Sequence, residues 1–231
     1  MFTLDQVVPW GRSFAEYEQL FALTPADLER RILGCGDGPA AFNAEATRRG
    51  ARVVSCDPLY AFERADIETR IAATCDTVLE QTRRHEDQFV WGHGIASIDE
   101  LGGVRMRAMR VFLEDYDAGK AEGRYVDASL PALPFAAGGF DLALCSHLLF
   151  LYSAQLDEAF HRASIRELCR VAAEVRIFPL LALSGARSPF VEACIEEARA
   201  CGAAAEAVKV PYEFQRGGNE MLRLRGSAAP A

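Results

Sequence analysis

The chain has 231 residues, of which 50% are hydrophobic and 25% are charged, and its formal net charge is −8. This length and composition predict one domain with a sizeable hydrophobic core. The negative charge disfavours proteins that bind nucleic acid by neutralising phosphates, and no apolar run is long enough to span a membrane. We therefore expect neither nucleic acid nor a membrane as a partner.

The seven cysteines contain no C-x-x-C pair, which favours a reducing compartment over a disulfide framework or a zinc site. No positively charged start with an apolar core opens the sequence, so we expect a cytoplasmic protein. The four histidines match no familiar ligand spacing, and no bound metal is expected.

A glycine-dense turn between two short apolar runs is the most informative pattern. The predicted strand Arg31–Leu33 leads into the turn Gly34–Gly38, and the predicted helix Pro39–Arg49 is followed by the strand Arg52–Cys56 and by Asp57. This order is typical of a nucleoside-binding βαβ unit, whose glycines let the main chain approach a ligand and whose acid accepts hydrogen bonds from ribose hydroxyls. The G-x-G-x-G spacing, followed by a proline without an N–H, favours an adenosyl ligand over a dinucleotide held by its phosphates.

The interval between Asp57 and Arg124 is several times longer than a strand–helix–strand crossover requires. Apolar residues recur there at helical spacing in two stretches, which predicts a helical insertion at about residues 62–118, its two helices joined by residues 88–94. An insertion that leaves the end of the second strand starts beside the ligand. It forms either a lid or substrate wall, or an extension of the core, or a contact in a homodimer.

The remaining strands and helices alternate, which predicts a mostly parallel sheet with helices on both faces. The predicted strands are Tyr125–Asp127, Phe140–Cys145, Glu174–Phe178, Ala207–Tyr212 and Glu220–Leu224, and the predicted helices are Ala154–Val171 and Pro189–Ala200. Residues 1–30 are expected to form an N-terminal helical segment, and residues 226–231 a disordered tail.

Over roughly residues 31–225 the chain resembles the class I, Rossmann-fold, S-adenosylmethionine-dependent methyltransferases. Besides the glycine turn and Asp57, Arg124–Ala128 is similar to the family's third strand with its acid, and Gly139–Cys145 is similar to its fourth strand. Residues 208–224 are similar to its final antiparallel hairpin. The resemblance implies an α/β, doubly wound fold with a seven-stranded, mostly parallel sheet whose last strand is antiparallel, with the helical insertion after strand two.

The resemblance also implies S-adenosylmethionine as the cofactor and methyl transfer to a small-molecule acceptor. In this reading Asp57 holds the ribose and Asp127 faces the adenine amino group. Residues 9–13 are expected either to fold over the cofactor or to pack against the surface of the domain. The residues assigned to cofactor binding are Gly34, Cys35, Gly36, Gly38, Asp57, Pro58, Asp127, Ala128 and Ser146.

One position departs from the family pattern: Ile32 stands two residues before the first glycine, where the family commonly has an acid. This departure keeps open a non-catalytic S-adenosylmethionine-binding sensor or partner subunit. Aminopropyl transfer to polyamines is disfavoured, because Ser146 and His147 stand where those enzymes have an aspartate.

The candidate catalytic residues follow the fourth strand, where the family brings the nucleophile and the methyl group together. A histidine side chain ordinarily titrates near neutral pH, so we expect His147 to be a candidate general base for an acceptor whose proton has a high pKa. Its alternative role is a hydrogen bond to the neighbouring loop. Tyr152 either orients the methyl donor or belongs to the core.

Overall fold

The computed structural model describes residues 8–92 and 95–226, which form a seven-stranded sheet in the order β3-β2-β1-β4-β5-β7-β6. Strands β1 to β5 run parallel, whereas β7 is antiparallel to both β5 and β6. The predicted fold class is therefore confirmed. The strands are β1 (Arg31–Cys35), β2 (Arg52–Cys56), β3 (Tyr125–Val126), β4 (Phe140–Ser146), β5 (Ala172–Phe178), β6 (Ala203–Lys209) and β7 (Glu220–Gly226).

Helices cover both faces of this sheet. Among the described residues, no helix is long and apolar enough to cross a membrane. The helices are α1 (Phe14–Leu20), α2 (Pro25–Leu28), α3 (Phe42–Arg48), α4 (Arg64–Arg84), α5 (Ile98–Ala121), α6 (Glu158–Val171) and α7 (Val191–Ala200), with short 3₁₀ turns at Pro58–Ala61 and Glu86–Gln88.

Three helices begin later than predicted. Helix α3 begins at Phe42 rather than Pro39, because the Ala41 N–H donates to the carbonyl of Arg12 (2.9 Å) and the chain stays in a turn until then. Helix α6 begins four residues after its predicted start, because Asp157 caps it and accepts from the backbone N–H of Phe160 (2.8 Å). Helix α7 also begins two residues late.

Pairing with β7 decides the extent of the sixth strand. It spans Ala203–Lys209 instead of Ala207–Tyr212, although its alanine-rich start has little intrinsic strand preference. Strand β3 is only two residues long, so Asp127 lies just beyond it. Gly226, expected in the tail, is the last residue of β7, and residues 227–231 lie outside the described residues.

The core lies on both faces of the central strands, as expected for parallel strands with near-continuous apolar sequence. Leu33 of β1 packs in a cluster under α6 and α7, whereas its neighbour Ile32 packs in a second cluster under α1 and α3. A third cluster fills the space between α4, α5 and β3, and includes Tyr60, Phe112 and Tyr125. The N-terminal helices are therefore part of the core of the fold.

The link between α4 and α5 reaches the far side of the sheet. The Val90 N–H donates to the Phe214 carbonyl (2.7 Å), and the Arg216 N–H donates to the Gln88 carbonyl (2.8 Å). We name this contact between residues 88–90 and 214–216 the clasp. Because α4 follows β2 and residues 214–216 join β6 to β7, the insertion spans the carboxyl edge of the sheet. Residues 93 and 94 of the predicted link lie outside the described residues.

Candidate active site

A cavity of about 540 Å³ lies at the carboxyl ends of β1, β2, β4 and β5. Its volume is within the roughly 300–1,000 Å³ typical of small-molecule sites. The glycine turn, the ends of β2 and β4, residues 8–12, α4, α5 and the loop before β7 all contribute to its walls. This is the position where open α/β sheets bind their ligands.

The glycine turn forms one wall of the cavity. Gly36 has a φ of +67°, and a Cβ added there would lie 2.5 Å from Cδ2 of Leu148. Gly36 and Gly38 line the cavity. The other two residues assigned to this turn, Gly34 and Cys35, lie in β1, and Cys35 is buried with its Sγ 3.6 Å from that of Cys56. Neither lines the cavity, and their role in cofactor binding stays a prediction.

Asp37, which the sequence interpretation passed over, folds under the glycine turn and lines the cavity. Its carboxylate accepts hydrogen bonds from the hydroxyls of Tyr17 (2.7 Å) and Ser55 (2.6 Å). Burial, together with the charge of Asp57, raises the pKa of Asp37 to about 6 against the effect of these two hydrogen bonds. The turn is thus tied to both α1 and β2.

Asp57 is held in the cavity wall by the main chain. Its Oδ2 accepts from the Gly38 N–H (2.9 Å) and its Oδ1 from the Leu59 N–H (2.8 Å). Burial raises the pKa of Asp57, the two amides oppose that rise, and the charge of Asp127 adds to it. Because a carboxylate oxygen can accept a second hydrogen bond, Asp57 keeps acceptor capacity for two ligand hydroxyls. Pro58, also assigned to the site, lines the cavity beside it.

Asp127 was predicted to face the adenine amino group, and Ala128 was also assigned to cofactor binding. Asp127 is exposed and Ala128 is half-buried, and neither contributes to the cavity. Their predicted role stays a prediction. The Asp57 N–H donates to the Val126 carbonyl (3.2 Å), so Asp127 follows next to Asp57, and its charge raises the pKa of Asp57.

Ser146 and His147 lie together at the end of β4 and both line the cavity. The Ser146 Oγ and the His147 Nδ1 are hydrogen-bonded at 2.9 Å, and His147 has a φ of +52°. Burial, followed by the charges of Arg12 and Arg105, lowers the pKa of His147 well below its usual value. The imidazole is therefore neutral at physiological pH and is a weak base.

Tyr152 lies in the cavity wall as well as in the core. It is 4% exposed, lines the cavity, and its hydroxyl accepts from the Val8 N–H (3.4 Å). This contact ties the N-terminal segment to the loop after β4. Tyr152 is therefore a core residue, and a role in orienting the methyl donor stays a prediction.

A buried charged group lies behind this wall, and the sequence interpretation included only its Arg12, as part of residues 9–13. Glu16 accepts from Nη1 of Arg105 at 2.5 Å and from the hydroxyl of Tyr212 at 3.1 Å. Arg12 lies beside them and lines the cavity. The only sequence signal was the S-x-x-E pattern of Ser13 and Glu16, which forms a capping box and marks the start of α1.

The side of the cavity that faces the insertion is mostly apolar. Arg70, Thr74 and Thr82 of α4 are its polar residues, and the two threonine hydroxyls donate to backbone carbonyls of their own helix (both 2.8 Å). Val78 of α4 and Leu101 of α5 line this side, together with Leu183. Phe89 and Phe214 of the clasp stack with ring centroids 4.9 Å apart and complete this wall. We name this part of the cavity the apolar chamber. No group of three or more metal-ligating side chains occurs in residues 8–92 and 95–226.

Comparisons with known proteins bear on this architecture. No protein-family model matches the chain. The chain is 32% identical over 223 residues to the uncharacterized protein MJ0045 of Methanocaldococcus jannaschii. The aligned region covers 96% of this chain and 97% of that protein.

Solved structures that are similar in fold include the following two. Magnesium protoporphyrin IX methyltransferase (ChlM) from Synechocystis PCC 6803 with bound SAM has a TM-score of 0.50 and 11% identity, over 93% of this chain and 79% of that chain. TnmH has a TM-score of 0.48 and 13% identity over 92% of this chain, which spans about half of TnmH (55%). The similarity to ChlM shows that the chain has the class I methyltransferase fold.

Proposed function

The chain belongs to the family of the Methanocaldococcus jannaschii protein MJ0045 and has the class I methyltransferase fold, and we propose that it transfers a methyl group from S-adenosylmethionine to a small-molecule acceptor. S-adenosylmethionine would supply an activated methyl group. The chain would supply binding, orientation and exclusion of water.

The observation that carries this proposal is the pairing of Asp57 with the glycine turn in one cavity wall. Asp57 is fixed by the amides of Gly38 and Leu59, so its remaining acceptor sites point at a defined position. Pro39, which has no N–H, lines the same wall. The wall therefore favours a ribose without phosphates.

The apolar chamber supports a small-molecule acceptor. Parallel strands order the cavity from Asp57 at β2, past Gly36 at β1, to Ser146 at β4, so a donor with its ribose on Asp57 extends towards β4. The chamber under the clasp lies along this path, and it is enclosed by α4 and α5. An apolar body there would be aligned beside the methyl group, and alignment is the main source of rate in such a transfer.

The chemistry of the cavity favours an acceptor that needs no strong protein base. His147 is neutral, but its lowered pKa makes it a poor proton acceptor. Its hydrogen bond with Ser146 and its position at the end of β4 suit it to orient an acceptor. An acceptor atom that is already ionised, or that loses its proton to water, fits this site.

Calorimetry with S-adenosylhomocysteine tests the donor site. Asp57→Ala is expected to weaken binding by at least about 100-fold, because two hydrogen bonds to a charged acceptor are lost. Asp117→Ala, which removes an exposed acid of α5, is the matched control and should bind as the wild type does. Equal or tighter binding of NAD by the wild type would refute the assignment.

A second experiment tests turnover. The protein is incubated with methyl-labelled S-adenosylmethionine and cell extract, and the small-molecule and macromolecular fractions are then separated. Label in the small-molecule fraction is expected. Label in the macromolecules alone contradicts the acceptor class, and donor binding without any labelled product indicates the non-catalytic sensor or partner subunit.

A further inference from the structure

The buried group beside the cavity carries two positive charges and one negative charge. Arg105 is fully buried, and Glu16 is 8% exposed and binds it directly. The charge of Arg12 also acts on Glu16: burial alone would raise the pKa of Glu16, but Arg105, Arg12 and hydrogen bonds lower it to about 2. Glu16 is therefore ionised at neutral pH, and one positive charge of the group stays uncompensated.

The two guanidinium groups also have bare N–H groups. Within the described residues, Nε of Arg12 and both Nε and Nη2 of Arg105 are buried and have no hydrogen-bond partner. Nη1 of Arg12 donates to the carbonyl of Trp10 (2.7 Å). Among residues 8–92 and 95–226, no group accepts a hydrogen bond from the other edge of this guanidinium, which is formed by Nε and Nη2. That edge is the planar fork that binds a carboxylate through two hydrogen bonds.

This arrangement is unfavourable without an anion. Burial, followed by repulsion from Arg105, lowers the pKa of Arg12 to about 10, so the guanidinium still keeps its proton at neutral pH. A buried charge without a partner destabilises a protein, and so do buried N–H groups without an acceptor. One carboxylate on Arg12 would compensate the surplus charge and would accept hydrogen bonds from the free edge of Arg12.

The position of Arg12 opens the group to the cavity. Arg12 lines the cavity, and its carbonyl accepts from Ala41 directly after the glycine turn. Tyr212, which donates to Glu16, also lines the cavity. The charges of Arg12 and Arg105 reach His147 at the end of β4, since both lower its pKa. The surplus charge therefore acts between the glycine turn and β4.

We propose that Arg12, with the charge of Arg105 behind it, binds a carboxylate group of a ligand in this cavity. The proposal rests on the proposed function, because two ligands of a methyl transfer could bring such a group. One is the amino-acid end of the donor, which reaches β4 when its ribose is on Asp57. The other is an acidic acceptor whose apolar body occupies the apolar chamber.

Binding of S-adenosylhomocysteine and of 5′-methylthioadenosine, which shares its adenosine and thioether but has no carboxylate, distinguishes these sources. If the donor brings the carboxylate, Arg12→Met weakens S-adenosylhomocysteine by at least about 10-fold and leaves methylthioadenosine unchanged. If the acceptor brings the carboxylate, each nucleoside binds Arg12→Met as tightly as it binds the wild type. Benzoate then binds the complex saturated with S-adenosylhomocysteine in the wild type and fails to bind in Arg12→Met.

Two further variants keep the result interpretable. Arg110→Met removes an exposed arginine of α5 and should leave all three ligands unaffected. Arg12→Lys keeps the charge without the planar fork, so it is expected to retain part of the carboxylate affinity. Melting temperatures measured without ligand show whether each variant is folded.

The outcomes separate this proposal from the one it rests on. A folded Arg12→Met that binds S-adenosylhomocysteine, methylthioadenosine and benzoate as the wild type does overturns the carboxylate site. A wild type that binds neither nucleoside overturns the proposed function instead. In that case benzoate binding to the free protein, with and without Arg12→Met, still decides whether the carboxylate site exists.

Discussion

Replacing Glu16 by glutamine is expected to destabilise the protein by about 3 kcal/mol at pH 7. In the folded chain the pKa of Glu16 falls from 4.5 to about 2, because Arg105, Arg12 and hydrogen bonds outweigh the effect of burial. At about 1.4 kcal/mol per pKa unit, the ionised carboxylate contributes about 3 kcal/mol. A loss of roughly 3–5 kcal/mol is usual when a buried ion pair loses one partner.

The pH dependence of this effect has a defined sign. Because the pKa is lower in the folded state, the contribution of Glu16 is complete above about pH 5 and is lost as the pH falls through 4.5 towards 2. The difference in free energy of unfolding between wild type and Glu16→Gln should therefore be largest at neutral pH. It should shrink steadily below pH 5.

Urea unfolding at several pH values and thermal melting at pH 7 measure these quantities. A loss of about 3 kcal/mol corresponds to a fall in Tm of roughly 6–12 °C for a chain of this size. Glu18→Gln, two positions along α1 and only half-buried, is the control and should melt close to the wild type. A Tm change below about 2 °C for Glu16→Gln, or a difference that grows towards low pH, would refute the reasoning.

Two other variants test the cavity wall. Burial and the charge of Asp57 raise the pKa of Asp37 from 3.8 to about 6, so its carboxyl group stabilises the fold below pH 4 and loses that contribution as the pH rises through 6. In urea titrations between pH 4 and pH 7, Asp37→Asn should remove the fall in the free energy of unfolding that this loss causes. The same pH dependence in the variant and the wild type would count against this assignment. His147→Asn should change donor affinity and turnover by less than about 10-fold, since asparagine tolerates the positive φ at this position and the imidazole is a weak base. A fall in turnover of about 10²–10⁴-fold would instead identify His147 as a general base.

Local patterns were enough to predict the sheet and one wall of the cavity. The strand Arg52–Cys56 has its predicted bounds, and Asp57 follows it in the wall beside Gly36 and Gly38. Apolar runs, glycines and the acid after a strand act through neighbouring residues, so the sequence order specifies them. Element ends were harder, because α3 and β6 are limited by contacts with distant segments.

The charged part of the site was not predictable from such patterns. Glu16 contacts Arg105 and Tyr212, which are 89 and 196 positions away in the sequence. The same holds for Asp37, whose acceptor role depends on Tyr17 and Ser55. Packing of α1 under the sheet brings these groups together. Ile32, which raised doubt about the site, is buried in the cluster under α1 and α3 and so supports this packing.

The hydrogen bond between Glu16 and Tyr212 also has a consequence for biosynthesis. A ribosome releases the first residue long before the second, and 196 positions separate them. The acid on α1 therefore lacks one of its partners until residue 212 has emerged. Contacts of such long sequence separation are slow to form, because the intervening chain must first be ordered. A nascent chain that stalls before residue 212 would expose an incomplete cavity to chaperones and proteases.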